Sequence, residues 1–480
     1  MTIDYRPLAH YTPARNWMND PNGLVFHDGT FHLFYQYNPA GDTWGSMSWG
    51  HATSTDLVRW HEHPVALACT PLEQVYSGSV VFDRHNSSGL GTAGQPPLVA
   101  IYTSVSPEGG QAQALAFSLD GGMRWERFRG NPVLDRSSRE FRDPKVFAHT
   151  SAGGDTRWIM VAVEAVERQV LVYSSSDLRS WRFESVVGPS GPDDVVWECP
   201  DLFPLPVDGD PDRTMWVLLL STNRVGEVTD SSMSYRVGSF DGHAFVSADD
   251  SWHPLDHGRD FYAAVTFSDA PDDRRIALGW AGNWQYAADT PTRPWRGAMS
   301  SPRELSLTER GGGLVLRQAL PREWRVRAGA EDEREPSVDL EIRSGASTAL
   351  TVGRHWIAEV EWRPDAGAGA GAVLTIGVLA TPGGAVAIVY DAGTETLSLD
   401  RRGSGGPAVH AGFATASAAT VPLRDGRLAL TIVVDASIVE VFADDGAVTL
   451  TDLVFPPEGA DGLVVEAGAG VGRLVIRPLP

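Results

Sequence analysis

A repeat of about sixty residues runs through the larger part of this chain, and a regular period of that length signals a repeat architecture. It is carried by five short strings that look out of place in plain scaffold. They are WMNDPNG (17–23), YSGS (Tyr76 to Ser79), FRDPK (Phe141 to Lys145), WECPD (Trp197 to Asp201) and GRDFY (Gly258 to Tyr262). One polar residue from each, Asp20, Ser79, Asp143, Glu198 and Asp260, gives gaps of 59, 64, 55 and 62 residues. A second marker has nearly the same period: Ser-x-Asp followed by an aromatic, at Ser54/Asp56/Trp60, Ser118/Asp120/Trp125, Ser175/Asp177/Trp181 and Ser239/Asp241/Phe245. Between the markers the chain reads strand, turn, strand, as in PLVAIYTSV (Pro97 to Val105), RWIMVAVEAV (Arg157 to Val166) and MWVLLLST (Met215 to Thr222). No segment keeps a helical period, so the class is all-β. Strand-type repeats of this length predict a five-bladed β-propeller, in which residues of equal phase meet around one central cavity.

Five such repeats occupy residues 1–320 of a chain of 480, which leaves enough sequence for a second domain. Residues 321–336 read as a linker, with the charge run Glu331 to Glu335 as a solvated connector. Over 337–480 come shorter alternating strands, among them HWIAEVEW (His355 to Trp362), RLALTIVVD (Arg427 to Asp435) and SIVEVFA (Ser437 to Ala443). Alternation with turns at this spacing predicts a β-sandwich. The AGAGAGA run from Ala366 reads as a loop.

A net charge of −22 repels nucleic acid and anionic membrane. No apolar run reaches the ~18 residues of a transmembrane helix. The opening residues lack a basic start followed by an apolar stretch, so a cytoplasmic enzyme is the expectation, with a secreted form that has lost its leader as the alternative. Two cysteines, Cys69 and Cys199, do not make a disulfide framework and are expected to stay unpaired. A homo-oligomer through the sandwich stays open. No metal-ligand cluster or phosphate-cradling glycine loop stands out, so no cofactor and no metal are called for; His51 and His63 read as structural.

Taken alone, Asp20-Pro21-Asn22-Gly23 is a good β-turn. Three acids brought into one cavity are another matter, because like charges at close range raise at least one pKa. Two carboxylates with separated pKa values are what glycoside hydrolysis requires, one to attack the anomeric carbon and one to protonate the leaving oxygen. A third can hold the sugar and stabilise an oxocarbenium-like transition state. Trp44 and Trp49 fit either core or the walls of a sugar pocket.

Together WMNDPNG, FRDPK and WECPD resemble glycoside hydrolase family 32, the β-fructofuranosidases, which include invertases, levanases and exo-inulinases. The likeness extends to WGHATS (Trp49 to Ser54), YSGSVV (Tyr76 to Val81), DFYAAVTFSD (Asp260 to Asp269), the long stretch from Asn283 to Leu305, and VDASIVEVFADDGAVTLT (Val434 to Thr451). Ala281 and Ser301 depart from the pattern, which expects a larger residue and an aliphatic one, and this puts details of the pocket wall in question. The resemblance implies a propeller followed by a sandwich, with Asp20 as nucleophile, Glu198 as acid/base and Asp143 as transition-state stabiliser. It also implies that Asn19, Gln36, Trp44, Ser79, Arg142 and Trp295 line the fructose subsite and that Cys199 tunes its neighbour. Substrates would be sucrose, fructo-oligosaccharides or fructans, cleaved from the end.

Three rivals remain on sequence alone: a fructosyltransferase with the same triad, an invertase preferring sucrose, and a propeller of another chemistry. SLDGGMRW (Ser118 to Trp125) resembles the Asp-box of sialidases, but such boxes are structural turns. A binding propeller without catalysis is disfavoured because all three acids are present.

Overall fold

A computed structural model describes residues 3–151, 153–224, 226, 230–325, 337–367 and 371–480. The charge run at 331–335 and most of the expected linker lie outside the described residues, as do residues 368–370 of the alanine–glycine run.

The first domain is a ring of five antiparallel blades, each begun by its innermost strand. Blade one runs Asn16–His27, Thr30–Asn38, Ser48–Ser54 and His61–Leu67. Blade two starts at Gln74–Phe82, blade three at Phe141–Thr150 and blade four at Val195–Val207. Blade five is built from Tyr262–Thr266, Arg275–Ala281, Arg303–Arg310 and Gly313–Ala319. Blades four and five join through one parallel contact, Val207 with Leu307. Closure comes from blade one meeting blade five, where the Phe26 amide donates to the Ser268 carbonyl and the Ser268 amide to the Leu24 carbonyl.

The Ser-x-Asp markers turn the chain between the third and fourth strands of blades one to four. Asp56 accepts the amides of Val58 and Arg59, Asp120 that of Arg124, Asp177 those of Arg179 and Ser180, and Asp241 those of His243 and Ala244. The Asp carboxylate satisfies amides that a tight turn would otherwise orphan, which is why this residue recurs there. The marker is thus scaffold, and SLDGGMRW carries no chemistry of its own.

The second domain is two six-stranded antiparallel sheets packed face to face. Along His355–Pro364 the alternation is direct: Trp356, Ala358, Val360 and Trp362 are buried in a core shared with Leu374, Ile376 and Val378 of the facing sheet. Buried ion pairs join the two domains. Arg303 bridges Asp256 of the propeller at 2.9 Å and Glu440 of the sandwich at 3.2 Å, clamped between the Phe261 and Phe442 rings. His10, fully buried, contacts Asp435 at 2.8 Å and Glu440 at 3.3 Å, and those two carboxylates hold it protonated up to about pH 9 against the opposing effect of burial.

Candidate active site

All five innermost strands carry a β-bulge at the same height. The register slips between Met18 and Pro21, Val75 and Gly78, Arg142 and Lys145, Glu198 and Asp201, and Tyr262 and Val265. A bulge puts two residues opposite one and re-aims the side chains around it. Sequence supplies the means. Pro21, Pro144 and Pro200 follow Asp20, Asp143 and Cys199, and a residue without an N–H is least costly where the ladder is already broken. At Gly78 an added Cβ would lie 2.2 Å from the Ile101 carbonyl oxygen, so only glycine lets the strands approach.

Asp143, Cys199 and Ala263 stand first in the bulges of blades three, four and five, and all have left-handed backbone, φ 61°, 47° and 54°. Such a conformation costs of order 1–3 kcal/mol for a residue with a side chain. Each displaced amide finds a partner in the preceding structure: Asp143 donates to Thr103 Oγ1 at 2.9 Å, Cys199 to Asp143 Oδ2 at 2.9 Å, and Ala263 to Ser221 Oγ at 3.1 Å. The residues just before them, Arg142, Glu198 and Tyr262, are equivalent in register and touch one another. Arg142 Nε donates to Glu198 Oε1 at 3.2 Å, and the Tyr262 hydroxyl donates to Glu198 Oε2 at 2.5 Å.

The bulges enclose a cavity of about 280 Å³ lined by Asn19, Asp20, Gln36, Trp44, Tyr76, Ser77, Gln111, Arg142, Asp143, Glu198 and Trp284. Asp20 is fixed on both oxygens, by the Asn19 amide at 2.9 Å and the Ser77 hydroxyl at 2.7 Å. Asn19 is in turn held by the Trp17 indole N–H at 2.8 Å. The Cys199 thiol lies 3.7 Å from Asp20 Oδ2 and 3.6 Å from Asp143 Oδ2, and burial pushes it well above the usual thiol range. Burial also raises Asp20, assisted by the charge of Glu198 and opposed by its two hydrogen bonds. Asp143 is pushed up to about 7, first by burial and then by Glu198 and Asp20, against the pull of Arg142. Two residues further along the strands, Lys145 and Asp201 make a buried ion pair at 3.0 Å, and the Thr266 amide donates to the same Asp201 oxygen.

Asp20, Asp143, Glu198, Asn19, Gln36, Trp44 and Arg142 therefore meet as the sequence predicts, with Trp44 at the mouth, 47% exposed on its outer side, while Trp49 is core. Three expectations fail. Ser79 stands two positions past the bulge of its strand; its hydroxyl donates to the Pro144 carbonyl and accepts from the Val146 amide, tying blade two to blade three. Ser77 holds the place expected of it. Asp260 lies two positions before Tyr262 and turns to the sandwich, where it pairs with Arg401 at 2.6 Å. Trp295 packs at the domain junction with Tyr5, Tyr286 and Phe455, under the Arg6 guanidinium. Ala281 belongs to that same junction cluster, and the Ser301 amide bonds Glu440 of the sandwich, so both departures from the family pattern fall outside the cavity lining.

Tyr76, Ser77, Gln111 and Trp284 line the cavity and Tyr262 bonds Glu198, and sequence reading missed all five. The first two and Tyr262 sit two or three residues from Ser79 and Asp260 in strings already singled out, and Trp284 lies in the long stretch from Asn283 to Leu305, 11 residues before Trp295; Gln111 carries no signal.

Comparison with known proteins gives the family. Residues 10–318 match the glycosyl hydrolases family 32 N-terminal domain and residues 325–477 the family's C-terminal domain. The chain is 42% identical over 488 residues to the levanase of Bacillus subtilis (strain 168), covering 99% of this chain and 70% of that protein. The crystal structure of exo-inulinase from Aspergillus awamori superposes with a TM-score of 0.92 at 34% identity, covering 100% of this chain and 99% of that one. The β-fructofuranosidase of Schwanniomyces occidentalis, solved with fructosyl-erythritol, gives a TM-score of 0.86 at 30% identity over 99% and 97% of the two chains. With both domain models matched in order and nearly the whole of this chain aligned to a relative at 42% identity, the chain belongs to glycoside hydrolase family 32.

Proposed function

We propose that this protein is a retaining, exo-acting β-fructofuranosidase, releasing terminal non-reducing fructose from fructans, fructo-oligosaccharides and sucrose. The observation that carries the reading is the meeting of Asp20, Asp143 and Glu198, in three different hydrogen-bonding environments, in one small cavity.

Asp20, immobilised by Asn19 and Ser77, attacks C2 of the fructosyl unit as the bond to the leaving oxygen breaks. Glu198, held by Arg142 and Tyr262, gives its proton to that oxygen. The covalent fructosyl ester on Asp20 is then opened by water, whose proton returns to Glu198, so the configuration at C2 is retained. Asp143 accepts hydrogen bonds from ring hydroxyls and balances the positive charge that develops on the ring. The Lys145–Asp201 pair lies buried two residues beyond the bulges of blades three and four. Trp44, Tyr76 and Trp284 supply apolar walls for sugar C–H faces. The levanase and exo-inulinase relatives support fructan as substrate.

The test is Asp20→Asn and Glu198→Gln assayed on sucrose, inulin and levan. Both variants are expected to fold and to lose several orders of magnitude in kcat. Near-normal turnover by either one removes the assignment. Free fructose should dominate the products at high sucrose; kestose-type oligosaccharides in excess would make the enzyme a transferase instead.

A further inference from the structure

Arg142, the residue that holds the acid/base carboxylate, is shared with a second carboxylate that the reaction does not use. Its Nη1 donates to Glu140 Oε2 at 2.8 Å, whereas Nε and Nη2 both approach Glu198 Oε1 at 3.2 Å. The shorter contact goes to the bystander. Gln111 Oε1, at 3.4 Å from the same Nη1, adds a weak neutral acceptor.

Glu140 is not placed there by chance of a loose loop. Its amide donates to Ser138 Oγ at 3.0 Å and its carbonyl accepts from Ala165 at 2.9 Å, so its backbone is fixed. Only the side chain reaches outward, 41% exposed, while that of Arg142 is 12% exposed and that of Glu198 is 20% exposed. The groups facing Glu198 are Arg142 and the Tyr262 hydroxyl on its own oxygens, with Asp20, Asp143, Cys199 and the Tyr76 phenol around it. Glu140 faces Arg142 from the solvent side. Two carboxylates thus compete for one guanidinium, and the outer one is open to water and salt.

Resting on the catalytic roles given above, we propose that Glu140 is a positioning residue for the acid/base step: by drawing Arg142 outward it limits the guanidinium's grip on the Glu198 carboxylate. Without the Glu140 charge, Arg142 stabilises the ionised form of Glu198 more fully. The general acid is then lost at lower pH.

The experiment compares pH profiles of kcat/KM on sucrose for the wild type and Glu140→Gln, a change that keeps an acceptor for Arg142 and removes the charge. The alkaline limb is expected to move down by about 0.4 pH unit, the size of a unit charge acting over a few ångströms in a watery setting. The plateau should stay within about twofold. Raising salt to about 1 M should shift the wild type the same way and leave Glu140→Gln nearly unmoved, because an exposed charge is screened over that range. Superimposed profiles for the two proteins, or equal salt responses, overturn the proposal. The acid assignment itself is checked separately with β-fructofuranosyl fluoride, whose leaving group departs without a proton: Glu198→Gln should recover most of its kcat/KM there. If Glu198→Gln is equally slow on sucrose and fluoride, the acid role fails; if it recovers while Glu140→Gln shifts nothing, only the role of Glu140 fails.

Discussion

The Tyr262 hydroxyl donates to Glu198 Oε2 at 2.5 Å, from the position in blade five that Glu198 holds in blade four. Tyr262 is almost fully buried, and burial keeps its phenol protonated, so the donor is permanent. A hydrogen bond to a charged partner contributes about 1.5–3 kcal/mol. Tyr262→Phe is therefore expected to lower kcat/KM on sucrose by roughly 10–100-fold, with KM changed less than kcat and little loss on β-fructofuranosyl fluoride. Equal losses on both substrates would mean that Tyr262 shapes the pocket rather than steering the acid.

Ser77 and Ser79 are neighbours on one strand with different employment. Ser77 bonds Asp20 inside the cavity, and Ser79 bonds two backbone groups of the adjacent blade. Ser77→Ala should reduce kcat about 5-fold, the value of one hydrogen bond of about 1 kcal/mol, and barely alter the melting temperature. Ser79→Ala leaves a buried amide and carbonyl unpaired and should cost about 1–3 kcal/mol of stability with kcat intact. Parallel thermal melts and sucrose assays distinguish the two; a reversed pattern would contradict the phase assigned to the bulges.

The repeat made the propeller legible because strand period and blade period are both written in residue spacing. Along the inner strands the site was legible to within two or three residues, and the bulge is why it was not legible more finely. A strand alternates its faces every residue, but each inner strand here inserts one extra residue at the height of the cavity, so alternation no longer says which of several consecutive residues faces the pocket. Arg142 and Asp143 both reach the pocket although they are consecutive, which no unbroken strand permits. Asp260 and Trp295 stood in family-like strings, yet those strings serve the sandwich as well as the pocket, and sequence does not say which face a residue turns to. Gln111 comes from the start of the third strand of blade two and lines the cavity from outside the inner-strand strings, where the repeat gives no marker.

Asp143 ties its proposed role in catalysis to stability. Its carboxyl is displaced upward from 3.8 to about 7, chiefly by burial. Between those values the folded protein holds a proton that the unfolded chain has released, so stability falls as pH rises from about 4 to about 7 and is flat beyond. Asp143→Asn removes the ionisation while keeping an acceptor for the Cys199 amide and a side chain tolerant of positive φ. The variant should be inactive yet more stable than the wild type at pH 7.5, by about 1–4 kcal/mol, and the gap should close by pH 4. Denaturant midpoints at the two pH values measure it. An Asn variant that is less stable at pH 7.5 would show that Asp143 is ionised and well satisfied in the empty site.

The Asp260–Arg401 pair offers the complementary case, stability without chemistry. Arg401 Nη1 meets Asp260 Oδ2 at 2.6 Å with no solvent exposure of either side chain, and the Leu453 amide and the Tyr286 hydroxyl complete the cage around the carboxylate. The guanidinium also stacks on Phe413 at 4.0 Å, so propeller and sandwich are fastened at one point by charge, hydrogen bonds and an aromatic face. Removing one member of such a pair strands the other in a dry site and costs about 3–5 kcal/mol. Arg401→Met should therefore lower the unfolding free energy by that amount, while kcat on sucrose at 25 °C, counted per folded molecule, stays within about twofold. A Glu at the Asp260 position keeps the charge but not the length, and Asp260→Glu should fall between the two. If instead Asp260→Asn abolished turnover with an unchanged denaturation midpoint, the residue would act on the substrate, and the division of the inner strands into pocket and junction faces would have to be redrawn.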